Sequence, residues 1–234
     1  HLPFDKDMEP NIKRPAAIQA LQEMVTVTKF LDPKSADHGL FENFQSFGKG
    51  EKFCNLGWGG TQKYLNGPES KVKDDLIHSV TPGGRIGGKV VPISYFNWGW
   101  NYVVSSRSLQ KELAYLFCLF ANTPVPSLAA VREASGFFDP YRAEHYADQE
   151  VIKTYGRSFL QAHREAMSSA IPDLYLRGQG LYLAALKQAI FAATRQQLSA
   201  EDALKAVYQK WQAITDKMGK DRQIAQWKHL RDSY

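Results

Sequence analysis

With 234 residues, 44% hydrophobic and 23% charged, the chain has ordinary globular composition and length enough for one large domain or two small ones. Its net charge of +5 is spread over scattered lysines and arginines; no clustered basic face is visible, which argues against nucleic acid as a partner. No apolar run approaches the ~20 residues needed to cross a bilayer, and two cysteines are too few for a cysteine zinc site.

The chain opens HLPFDKDMEP, without Met or a signal peptide, as a processed or truncated product would. Pro15 is placed to begin a helix. Ile18, Leu21, Met24, Val25, Thr28 and Leu31 follow at helical spacing until Asp32-Pro33 stops it. A shorter amphipathic helix over 40–47 carries Leu40, Phe41, Phe44 and Phe47 and ends at Gly48-Lys49-Gly50. Residues 53–56 read as a short buried strand before the Gly57-Trp58-Gly59-Gly60 turn, and 61–65 start a helix broken at Asn66-Gly67-Pro68. Strands are expected at 76–80 and 97–104, with 85–88 as a loop.

From Ser108 the pattern turns helical. The run 109–122 is apolar almost all round and is expected to be heavily buried. A short helix over 127–135 closes at Gly136, and GFFDPYRAEHYAD reads as an ordered loop with aromatic and charged residues interleaved. Helices follow at 151–167, 181–194, 200–218 and 221–231, the third capped by Ser199 with Asp202 three residues on. Cys54 and Cys118 lie in apolar runs, where a free cysteine behaves as a small buried hydrophobe.

Signals for catalysis are weak. There is no G-x-S-x-G elbow, phosphate loop, H-E-x-x-H helix or G-x-G-x-x-G fingerprint. His38, His78, His145, His163 and His229 are scattered and read as surface or loop residues rather than metal ligands. Asp139, Glu144 and Asp148 share a loop but lack the alternating spacing of a calcium site, so a solvated turn explains them.

Signals for binding are better. Trp58, Trp98 and Trp100 each stand beside glycine, which lets backbone approach a ligand while the indole offers a flat face. Trp98 and Trp100 alternate on a strand and point to one side. A sugar ring has an apolar face that stacks on aromatics and a hydroxyl rim that needs a few planar hydrogen-bonding groups. Asn55, Asn97, Arg142, Arg177 and Gln179 are the candidates for those groups, with Tyr175 and Tyr182 flanking the glycine pair Gly178 and Gly180. The competing explanation is that the tryptophans and Tyr182 fill a core and Arg177 is a surface charge.

The order of PNIKRPAAIQALQEM, FENFQSFGKGEKFCNLGWGG, VTPGG and WGWNYVVSSRSLQKELAYLFCLFAN resembles the later portion of the family-1 extracellular solute-binding proteins, the maltose-binding-protein-like receptors of ABC importers. The matching elements are Ala20-Leu21, 44–49, Leu56-Gly57-Trp58, Thr81-Pro82-Gly83-Gly84, 99–104 and 111–120. The tail agrees through Ile171-Pro172, 181–194, 198–204 and Trp211.

The resemblance implies an α/β, type II periplasmic-binding-protein fold, rich in helix toward its C-terminus with few short strands and most of its N-terminal lobe absent. It places the second lobe at about 1–60 and 108–234, with hinge and first-lobe crossing strands at about 70–106. It implies a periplasmic or lipid-anchored extracellular receptor, with no cofactor and no catalytic role. The implied partners are a sugar or polyol, the importer's membrane subunits and a missing N-terminal fragment. In that family the aromatic at Trp58 lines the sugar site; Gly59, Asn97, Trp98, Trp100, Arg142 and Arg177 complete the expected set. The alternative reading is a helical interaction or scaffold protein with no small-molecule ligand.

Overall fold

A computed structural model describes residues 2–97 and 99–232, without the side chains of Ala36, Ile86 and Tyr95–Asn97. In chain order its helices are α1 (Pro15–Val27), α2 (Leu40–Gly48), α3 (Gln62–Leu65), α4 (Lys111–Ala121), α5 (Pro124–Arg132), α6 (Gln149–Tyr155), α7 (Arg157–Ser169), α8 (Gln179–Thr194), α9 (Ala200–Met218) and α10 (Lys220–Arg231). The strands are β1 (Gly84–Ile86), β2 (Lys89–Val91), β3 (Tyr95–Asn97) and β4 (Ile171–Pro172). Among the described residues no single helix is long and apolar enough to cross a membrane. The chain divides into two units, His1–Ala36 with Ile171–Tyr234, and Asp37–Ala170.

The first unit is built around Phe4. Its ring lies 4.9 Å from Trp211, 5.5 Å from Tyr182 and 5.8 Å from Trp227, the latter two edge-on. Such contacts add to the area that the rings bury. The polar ends are satisfied: Trp211 Nε1 donates to the Tyr182 carbonyl at 3.0 Å, and Trp227 Nε1 to that of Asp5 at 2.7 Å. The helical periodicity of α9 puts Ala203, Leu204, Val207, Trp211 and Thr215 on its buried side, while α8 offers Ala185, Ala189 and Ala193. Ser199 caps α9 by accepting from the Asp202 amide at 3.0 Å, as its spacing predicts. Pro15 opens α1, whose Leu21 is buried while Met24 is not.

In the second unit Val131, Val151, Tyr155 and Leu160 form a small core, with Leu128, Tyr146, Ile152 and Phe159 packed on it. The helix expected over 151–167 is two. Gly156, at φ +82°, ends α6 and starts α7, a conformation open to glycine and strained for other residues. Asp148 caps α6 by accepting from the amides of Glu150 at 3.2 Å and Val151 at 3.1 Å. It also pairs with Arg132, which holds its carboxyl down at about 2.

Several expectations for this unit need correcting. Neither 53–56 nor 76–80 is a strand; both are irregular, and Phe53 and Ile77 stand almost wholly exposed. An apolar run becomes a strand only by pairing with another, and these runs have no such partner among the described residues. Of the strand expected over 97–104 only Asn97 lies in one, at the end of β3; the described remainder has no regular structure. The loop expected at 85–88 is half strand. β1 and β2 pair antiparallel with Ile86 opposite Lys89, and Gly87 and Gly88, at φ +55° and +79°, make the two-residue turn.

Helix α4 is where the expectation fails most. None of its residues is buried, and Leu113, Leu116, Phe117 and Phe120 are each about 60% exposed. Cys118 on this helix is half-exposed, Cys54 is exposed, and both are free, so neither is the buried hydrophobe its neighbours implied.

Candidate functional site

The site grows from one corner of the second unit. Trp58 has extended backbone and stands before a single turn of 3-10 helix, Gly59–Thr61, that leads into α3. The turn is fixed by Thr61, whose amide and Oγ1 both donate to the Trp58 carbonyl, at 3.1 and 2.6 Å. The half-buried indole is held at two further points. Nε1 donates to Asp139 Oδ2 at 2.7 Å, and the ring stacks on Phe137 with centroids 5.6 Å apart and planes 24° from parallel.

The two glycines make this approach possible. A Cβ on Gly59 would sit 2.9 Å from Asp139 Oδ1, and one on Gly60 would sit 2.7 Å from both the Phe137 carbonyl oxygen and Trp58 Cζ2. The 137–139 segment and the indole therefore rest on bare α-carbons.

Burial pushes the Asp139 carboxyl up to about 6, against the pull of the Trp58 hydrogen bond and the Lys63 charge. Lys63, only 5% exposed, donates from Nζ to the Glu133 carbonyl at 2.7 Å and lies 5.4 Å from the Tyr155 ring. Burial lowers its pKa. Tyr155 donates its hydroxyl to the Phe138 carbonyl, so the loop carrying Asp139 is pinned on both sides.

Behind this corner the rings run on in series. Tyr155 stacks on Phe159 at 5.4 Å, Phe159 on His163 at 5.5 Å, and His163 on Tyr146 at 6.0 Å. Tyr146 and His163 share a hydrogen bond of 2.8 Å, and burial lowers the His163 pKa, favouring the neutral imidazole. Among the described residues no three His, Cys, Asp or Glu side chains converge to hold a metal. What remains is an amphipathic corner: a fixed indole, one buried carboxyl and a run of stacked rings behind it.

No family model matches the chain, and no curated protein sequence does. Solved structures do. Maltose-bound MalE3 of T. maritima superposes with a TM-score of 0.76 at 19% identity, covering 91% of this chain and 54% of its own. An ABC-transporter solute-binding protein from Agrobacterium vitis S4 with bound D-mannitol gives a TM-score of 0.70 at 21% identity, covering 94% and 55%. The chain has the fold of the solute-binding proteins. It spans about half the length of the solved chains it matches. The resemblance drawn from motif order is thereby borne out at the level of the fold, as a helix-rich α/β chain with few short strands.

The residues of the expected set fall in both units, Arg177 in the first and the others in the second. Trp58 and Gly59 stand together at the corner just described. Arg142 does not join them directly: its guanidinium donates to the Asn122 carbonyl and lies 5.7 Å over the Tyr141 ring. Trp100 is 83% exposed on irregular chain. Asn97 closes β3; its side chain and the whole of Trp98 lie outside the described residues.

Asn55 is half-buried, on irregular chain three residues before Trp58. Arg177, Gln179, Tyr175 and Tyr182 belong to the first unit. There Arg177 is exposed, and its carbonyl accepts from Gln223 Nε2 at 2.6 Å. Gln179 donates to Asp173, and Tyr175 is half-exposed. Tyr182 is wholly buried, its hydroxyl 2.8 Å from Thr215 Oγ1, which makes it core.

Sequence reasoning missed Asp139, Phe137 and Lys63. Asp139 is no member of a solvated turn, because it lies inward against Trp58, unlike Asp148 on the same loop. His145 is likewise no surface residue: it is completely buried, its ring edge-on to Tyr141 at 4.9 Å. The signal available for Asp139 was the interleaving of Phe137, Phe138 and Tyr141 around it.

Proposed function

We propose that this chain forms part of the substrate-binding component of an ABC importer and takes a carbohydrate or polyol into a cleft between two lobes. The observation that carries the reading is the Trp58 corner: an indole fixed at Nε1 and backed by Phe137, leaving an aromatic of set orientation for a sugar ring. Fold likeness to proteins solved with maltose and with D-mannitol supports the ligand class. Gly59, Asn97, Trp98, Trp100, Arg142 and Arg177 complete the proposed set, the polar members recognising hydroxyls.

In this reading the second lobe comprises about 1–60 and 108–234, and about 70–106 supplies hinge and crossing strands. Ligand favours the closed arrangement by its differential affinity for it. The protein works outside the inner membrane, periplasmic or lipid-anchored, delivers its ligand to the membrane subunits, and binds rather than catalyses.

Calorimetric titration with maltose, D-mannitol and a panel of related sugars and polyols tests this. A saturable response is expected, weakened about tenfold by Trp58→Ala, since loss of a stacking ring costs about 1.5 kcal/mol. No response to any solute, or equal affinity in Trp58→Ala, refutes it.

The second reading is an interaction protein. The exposed apolar surface of α4 favours it, because an 11-residue helix with no buried residue gains little from its own chain. It predicts a stable macromolecular partner and indifference to Trp58→Ala.

A further inference from the structure

The two oxygens of Asp139 are treated differently. Oδ2 accepts from Trp58 Nε1 at 2.7 Å. Oδ1 is buried with no hydrogen-bond partner, against the bare α-carbon of Gly59. A buried carboxylate oxygen without a donor is costly, and the cost falls when a proton removes its charge. The same group is thus asked for two opposing states. Ionised, it grips the indole by a charge-assisted bond; protonated, it sheds the buried charge and grips less.

We propose that Asp139 is the positioning residue of the Trp58 site, and that its proton sets how firmly the indole is held. The consequence for affinity rests on the reading of Trp58 as a ligand contact; the consequence for the ring does not. Its setting supports a single titration. Lys63 faces it from α3, Tyr146 from the 143–147 turn and Tyr155 from α6, while α7 offers Phe159 with His163 one turn on. The Tyr146 hydroxyl is pushed up to about 12 and that of Tyr155 higher, so neither changes charge near neutrality. Asp139 itself titrates at about 6. His163 and His78, both packed on the Phe159 ring at 5.5 and 5.6 Å, are the neighbours whose charge change can be confused with it, and a variant of Asp139 separates them from it.

The experiment is fluorine NMR of protein labelled with 5-fluorotryptophan, with the Trp58 resonance assigned by its loss in Trp58→Phe. Between pH 4.5 and 7.5 that resonance is expected to move with one midpoint near 6, and to stay fixed in Asp139→Asn, which keeps the shape and an acceptor but cannot ionise. A resonance that is flat in the wild type, or still titrates in Asp139→Asn as a His163 or His78 effect would, overturns the proposal. Affinity for maltose and D-mannitol is measured in parallel at pH 5 and 7.5. The wild type is expected to bind about tenfold more tightly at the higher pH, and Asp139→Asn equally at both. Equal wild-type affinity at the two values while the resonance titrates overturns the reading of Trp58 as a ligand contact and leaves the positioning role of Asp139 standing. If neither they nor the wider panel bind while the resonance titrates as described, the solute-binding reading falls and the positioning role of Asp139 stands.

Discussion

Replacing Gly60 by Ala tests whether the Trp58 corner is packed as described. The added methyl lands 2.7 Å from the Phe137 carbonyl oxygen, 2.7 Å from Trp58 Cζ2 and 2.9 Å from Trp58 Cε2. Carbon atoms in contact sit about 3.5–4.0 Å apart, so ring and backbone must retreat by about 1 Å. One obstacle is main chain and the other a ring tied to Asp139 through Nε1, the atom next to Cε2, so neither yields as a flexible side-chain end would. Overpacking of this kind costs about 1–3 kcal/mol, and alanine's stiffer unfolded chain returns about 0.5 kcal/mol. Gly60 is not among the positive-φ residues, so backbone strain adds nothing. The net expectation is a loss of about 1–2 kcal/mol, read from urea denaturation followed by tryptophan fluorescence. Solute affinity should fall with it because the indole is displaced. A Gly60→Ala protein as stable as the wild type, with unaltered Trp58 emission, would show that the corner is looser than these contacts require.

Asp139 makes a stability prediction of definite sign. Its carboxyl is raised from 3.8 to about 6 on folding, so the stabilisation it confers is complete below about pH 4 and is lost as pH rises through 6. Asp139→Asn should therefore gain on the order of 2 kcal/mol over wild type at pH 7.5 and almost nothing at pH 4, and a gain that does not change with pH would refute the assignment. Gly180, in the first turn of α8 with open space around it, should accept alanine with a gain of about 0.5 kcal/mol in thermal denaturation, the opposite sign to Gly60. On α4, Leu116→Gln with Phe120→Gln should leave stability within about 0.5 kcal/mol while reducing dye binding and self-association in sedimentation; a loss beyond 2 kcal/mol would mean that the helix is covered by its own chain.

What could be read in advance was whatever is written locally. Ser199 and Asp202 cap α9 because the two atoms that meet are three residues apart, and Pro15 opens α1 because its ring already has helical φ. Where the deciding partner is distant, reading failed. The apolar stretch 53–56 carries the composition of a buried strand, but composition does not say whether another strand lies alongside. Gly156 splits a helix whose periodicity looks continuous on either side, since a single glycine is tolerated inside a helical pattern as readily as it ends one.

Trp58 and Asp139 show the same limit within the site. The tryptophan was conspicuous from its glycine neighbours. Its anchor lies 81 residues away, in a loop where Asp139 and Asp148 differ in nothing but surroundings. One is drawn inward and its carboxyl raised; the other meets Arg132 at the surface and is lowered. Helix α4 carries the point to the surface. Apolar on all sides, it was expected inside, yet hydrophobicity records only that a helix avoids water, not which body shields it. The residues that most needed a structure are therefore those whose chemistry is supplied by something far along the chain.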